Sequence, residues 1–147
     1  MSENLRLARP FFVLLAVFAA GRWTVSLRGV PYERGTLGFS IVILTLISVL
    51  YYGAFARRWR GYRVVQAMGL AVTLAVAAQL VILVSTVASY ALGLDTYFNH
   101  PVALNAEAPM SMGQAVLTRA FGLVVNSLLN GIGGALGWAL GGLLPEK

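Results

Sequence analysis

The sequence predicts an all-α integral membrane protein, a bundle of four transmembrane helices with both termini in the cytoplasm. Three observations predict it. Of the 147 residues, 59% are hydrophobic and only 11% charged, where a soluble domain carries about 25% charged residues. Mean hydropathy is +0.78. Residues 37–56, 64–94 and 120–144 are charge-free stretches of 20, 31 and 25 residues, and about 20 apolar residues cross the hydrocarbon core of a bilayer. A chain of this length is a single domain, here one transmembrane domain over residues 1–147.

The first span, residues 10–27, opens on Pro10, which suits a first helical position. Arg22 interrupts it. Arg22 lies roughly 18 Å along the axis from Pro10, far enough for its side chain to snorkel to the outer interface beside Trp23. A signal peptide would use the same residues, with Arg6 and Arg9 before an apolar run that ends at Ala19-Ala20-Gly21. The expectation here is an uncleaved helix.

The second and third spans are expected over residues 36–56 and 63–94. The loop between them reads Arg57-Arg58-Trp59-Arg60-Gly61-Tyr62-Arg63. Its four arginines in seven residues place it in the cytoplasm, with Arg6, Arg9 and Lys147 on the same side. Arg28 and Arg34 fall outside as exceptions. The preference for arginine over lysine points to a GC-rich bacterium and so to a bacterial inner membrane. Tyr51, Tyr52, Trp59, Tyr62 and Trp138 are placed near the inner interface; Trp23, Tyr32, Tyr90, Tyr97 and Phe98 are placed near the outer one.

The outer loop, residues 95–111, is the long one. It holds Pro101 and Pro109 and several apolar residues, and is expected to lie on the membrane or cap the bundle. Ser111-Met112-Gly113-Gln114 matches a capping box, so the fourth helix should begin at Met112 and run to about residue 144.

That fourth helix is the most informative segment. Arg119, Gly122, Asn126, Asn130, Gly133, Gly137 and Gly141 recur at helical spacing on one face. Phe121, Val125, Leu128, Ile132, Leu136, Ala139 and Leu143 occupy the other and suit lipid. Gly122, Gly133, Gly137 and Gly141 form a small-residue packing surface. Gly131, Gly134 and Gly142 widen it enough for two neighbours, one within the bundle and one in another subunit. Asn126 and Asn130 fall roughly 10 and 16 Å below Arg119. Gln79 and Thr86 share a face of the third helix. A polar seam is therefore expected, with Gln79 within hydrogen-bonding reach of Asn126 or Asn130. Such pairs act as interhelical glue worth about 0.6–2 kcal/mol each; a polar pocket or conduction path is the alternative.

Arg22 and Arg119 are expected at similar depth, with Arg28 and Arg34 nearby in sequence. Together they make a candidate site for an anion or a lipid headgroup. Simple snorkelling, or pairing with Asp95 or Glu107, is the alternative.

The absence of cysteine excludes disulfides and thiolate metal sites. One histidine excludes a bis-histidine haem within the chain. Asp95, Asn99, His100 and Glu107 are a weak metal constellation, and no metal is assigned. No cofactor motif occurs; a bound lipid or quinone is the ligand the outer arginines, Trp23 and Tyr97 would hold. The net charge of +6 is read as topology signal and lipid contact rather than nucleic-acid binding. The expected function is that of a non-catalytic membrane subunit or scaffold, associating with another membrane protein or with itself through the glycine-rich helix. A small transporter or channel component, and a lipid- or quinone-binding protein, are the alternatives.

Overall fold

The computed structural model describes residues 3–144. Lys147 lies outside them. The described residues form helices and no strand: α1 (Glu3–Leu7), α2 (Arg9–Leu27), α3 (Tyr32–Gly35), α4 (Ile41–Arg60), α5 (Val64–Ala91), a 3-10 turn (Pro101–Leu104) and α6 (Met112–Gly141). Four of these, α2, α4, α5 and α6, are long and apolar enough to cross a membrane. Their outward residues are large and apolar, among them Val13 and Val17 on α2, Ile47 on α4, Val84 on α5 and Phe121, Leu128, Ile132 and Leu136 on α6. In water that surface would form a patch far beyond what a soluble monomer tolerates.

Helix ends follow local chemistry more than hydropathy. The second span starts at Ile41, not at residue 36. The Ser40 hydroxyl accepts the Ile43 amide at 3.4 Å and caps the helix there. Phe39 just before it is left-handed, φ 52°, which no helix continues through. Its ring occupies the notch at Gly21 of α2, where a Cβ would stand 2.5 Å from Phe39 Cγ. At the other end α4 runs on through Arg57, Arg58 and Arg60, because cations are favourable at a helix C-terminus. Left-handed Gly61 stops it, with the Tyr62 amide reaching back to the Ala56 carbonyl at 3.0 Å. The third span ends at Ala91 in the same way, through left-handed Gly93 and a Leu94 to Ser89 bond of 2.9 Å. The Ser111–Gln114 capping box forms as the sequence spells it, the Gln114 side chain accepting from the Ser111 amide at 3.0 Å.

The apolar core is built from side chains of α2, α4, α5 and Phe98 of the long loop, and α6 packs closely on α4 and α5. Its glycines make that possible. A Cβ on Gly137 would stand 2.8 Å from Leu50 Cα, and one on Gly141 2.9 Å from Ala54 Cα. Gly53 of α4 makes the reciprocal notch, where a Cβ would stand 2.9 Å from the Trp138 backbone nitrogen. These pairs advance in the same sense, so α4 and α6 are parallel. On the adjoining face Gly131 meets Val72 and Gly134 meets Ala71, which sets α5 antiparallel to α6. Both neighbours of the glycine surface are thus inside this chain. The second of them was expected in another subunit; Gly133, Gly137 and Gly141 are instead buried against α4. Gly122 is the exception, with only Asn126 of its own helix near it.

Where α6 ends, Arg57 donates to the Trp138 carbonyl at 3.2 Å and lies 4.0 Å over the Trp138 ring. α2 is the peripheral span. It buries Phe11, Leu15, Arg22 and Ser26, which recur at helical spacing on one face. Trp23 ties it to α5 through a 3.2 Å bond to Ser85.

Candidate anion-binding site

The buried face of α2 carries Arg22 inward. It is only 9% exposed, so its side chain reaches toward the outer end inside the protein and not along the lipid-facing surface. Its Nη1 donates to the Thr36 carbonyl at 3.2 Å. Its guanidinium carbon lies 5.2, 5.9 and 6.0 Å from the ring centroids of Tyr97, Tyr32 and Phe98. Such faces attract a cation without neutralising it.

Arg119 comes to the same place from α6. Nε donates to the Thr86 hydroxyl at 3.2 Å, and Nη2 to the Phe98 carbonyl at 2.8 Å. The Thr86 hydroxyl also stands within hydrogen-bond distance of the Phe98 and Ile82 carbonyls. One peptide of the long loop thereby joins the two arginines: the Phe98 ring faces Arg22 while its carbonyl holds Arg119.

The long loop folds down to make this contact. Asn99 accepts from the Thr96 amide at 2.8 Å and donates to the Leu94 carbonyl at 2.9 Å. Ser89 and Thr96 share a 2.7 Å bond between hydroxyls. The Tyr97 amide donates to Ser26 on α2 at 2.9 Å, and the Tyr97 hydroxyl to the Val30 carbonyl at 2.7 Å. Gly35 leaves the space that this hydroxyl fills.

Arg22 and Arg119 line one cavity of about 90 Å³ together with Tyr32, Tyr97, Phe98 and the start of α4 at Ser40, Ile41 and Val42. The first amides of a helix have no intrahelical acceptor, and its dipole places partial positive charge at that end. Two guanidinium groups and a helix N-terminus therefore converge on one space, the setting that favours an anion. Among the described residues no carboxylate lines it. The hydrogen bonds of both arginines go to carbonyls and a hydroxyl, and not to Asp95 or Glu107.

Arg28 and Arg34, expected in the same group, are exposed and do not line the cavity. Trp23 is not in the lining; its ring lies against Phe98 at a tilt of 40°, centroids 5.4 Å apart. A second, larger cavity of about 460 Å³ lies beyond, lined by Glu33, Asp95, His100 and Tyr90 among others, and it shares Tyr32 and Tyr97 with the first. Of the residues of the weak metal constellation, Asp95, Asn99 and His100 line this cavity and Glu107 does not. Asn99 is committed to the loop backbone, and among the described residues no three histidine or acidic side chains are placed to hold a metal.

The polar seam expected at mid-helix does not assemble. Gln79 makes no hydrogen bond to Asn126 or Asn130. The Asn130 amide donates instead to the Asn126 carbonyl of its own helix at 2.7 Å. A backbone carbonyl one turn away satisfies that donor without ordering a second helix. Asn130 Oδ1 and Ser127 Oγ are buried without a partner among the described residues. Thr86, grouped with the seam by its helix face, belongs to Arg119.

No known protein family, curated protein or solved structure matches the chain.

Proposed function

We propose that this protein is a non-catalytic integral membrane protein that binds an anion between Arg22 and Arg119. In this reading its four long helices cross the bilayer, and the Arg57–Arg63 loop and both termini face the cytoplasm of a bacterial cell. The arginine cavity then lies at the outer headgroup level, where α4 and α6 begin. The observation that carries the proposal is the convergence of two arginines and the α4 N-terminus on one cavity without a carboxylate. Two like charges held together in a poorly solvated place repel each other unless an anion joins them. The described lining holds no carboxylate or imidazole to act as a general base, which favours binding over hydrolysis. Association with a partner protein would have to use a face other than the Gly133–Gly137–Gly141 row, since that row is filled by α4.

The test is thermal unfolding in an uncharged detergent while chloride is replaced by phosphate at constant ionic strength. The wild type gains stability; about 2.7 kcal/mol corresponds to a hundredfold excess over the dissociation constant. Arg22→Gln and Arg119→Gln gain none. An equal gain in either variant rejects the site.

A further inference from the structure

We infer that the anion is the phosphate of a lipid, and that it reaches the cavity sideways from the surrounding lipid, past the first turn of α4. The inference rests on the anion-binding reading and specifies its ligand.

The size of the cavity is the first argument. About 90 Å³ is well below the roughly 300–1,000 Å³ of pockets that enclose a drug-sized ligand. It admits a tetrahedral headgroup and leaves anything attached to that headgroup outside.

The second is where the outside lies. Val42, 62% exposed, is the one exposed residue in the lining; Tyr32, Ala103 and Arg119 are half-buried and the others buried. Val42 is apolar and stands in the first turn of a membrane-length helix, between the exposed apolar side chains of Phe39 and Leu46. The mouth therefore opens on the lipid-facing side of the bundle, at the level of the headgroups. Nearby on α6, Gly122 has no neighbour from α4, so the close contact made by Gly133, Gly137 and Gly141 is not continued towards this end.

The third is that the loop side is roofed. Tyr32 stacks on His100, centroids 4.4 Å apart and planes within 5°, and packs edge-on against Tyr97 at 5.3 Å. The Tyr97 hydroxyl is bonded to the Val30 carbonyl. These rings form the wall between the arginine cavity and the larger cavity beyond. A water-borne anion must pass that wall; a lipid phosphate need not.

Two probes separate the sources: phosphatidic acid retained by the purified protein from mixed micelles with phosphatidylcholine, read by native mass spectrometry, and inorganic phosphate, read by the thermal shift. In the wild type phosphatidic acid is retained at least tenfold over phosphatidylcholine. Val42→Trp, at an exposed position that accepts a large side chain, lowers that retention several-fold, and by a larger factor than it lowers the affinity for inorganic phosphate read from the thermal shift. Val42→Ala widens the mouth and speeds lipid exchange. Arg22→Gln abolishes both signals. Retention unchanged in Val42→Trp, exchange no faster in Val42→Ala, or binding of inorganic phosphate alone overturns the lateral route and leaves the anion site standing. Equal loss of both signals in Val42→Trp also overturns it, since a side chain that only blocks the lipid mouth weakens lipid binding more than phosphate binding. Both signals persisting in Arg22→Gln, or neither appearing in the wild type, overturns the underlying site.

Discussion

Arg119 and Thr86 are joined across the α5–α6 contact by a 3.2 Å hydrogen bond from Nε to the threonine hydroxyl. The threonine is fully buried. Thr86→Val keeps its shape and removes the acceptor, leaving a charged donor short of one partner. The expected loss is about 1–3 kcal/mol, read as a lower unfolding midpoint in detergent, and Thr86→Ser restores most of it. An unchanged midpoint in the valine variant would show that the bond holds nothing in place.

The glycine row of α6 yields a contrast. Gly137→Ala puts a methyl against the Leu50 backbone, which cannot turn aside, so α4 must shift. Overpacking of this kind costs about 1–3 kcal/mol. Gly69→Ala, on an open face of α5 with nothing within 4 Å, gains up to about 1 kcal/mol from helix propensity. Thermal unfolding of the two variants side by side checks both signs. Equal tolerance at the two positions would mean that α6 does not pack on α4 as described.

Ser127 is 6% exposed and its hydroxyl has no partner among the described residues. Removing an unsatisfied polar atom is neutral or favourable. Ser127→Ala should therefore hold or raise stability, by about 1 kcal/mol at most. A loss of that size in the same unfolding assay would reveal an interaction at this hydroxyl, such as a buried water.

Much of this architecture is legible in the residues, and the limits are physical. The capping box at Ser111 and Gln114 is legible because its partners lie three residues apart. The shared level of Arg22 and Arg119 follows from counting turns. Their convergence does not, because it depends on Phe98, and the loop carrying Phe98 is placed by contacts as distant as Tyr97 with Ser26, 71 residues away. Ser40, inside the charge-free run 37–56 and just ahead of Ile41-Val42-Ile43, is a readable N-cap, and would have brought the α4 N-terminus into the site. Gly133, Gly137 and Gly141 announce a close approach of another backbone, but small residues carry no label for which backbone comes. Gln79 misleads for a related reason: an intramembrane amide demands a partner, and for Asn130 the nearest one is its own helix.

The central claim is that Arg22 and Arg119 hold the same anion. A double-mutant cycle on phosphate affinity tests it most directly, with phosphate titrated calorimetrically into the wild type, Arg22→Gln, Arg119→Gln and the double variant in uncharged detergent. Convergence predicts that each single variant loses most of the affinity and that the double variant loses little more, a coupling of about 0.5–3 kcal/mol. Losses that simply add, or a single variant that binds phosphate as the wild type does, would contradict it.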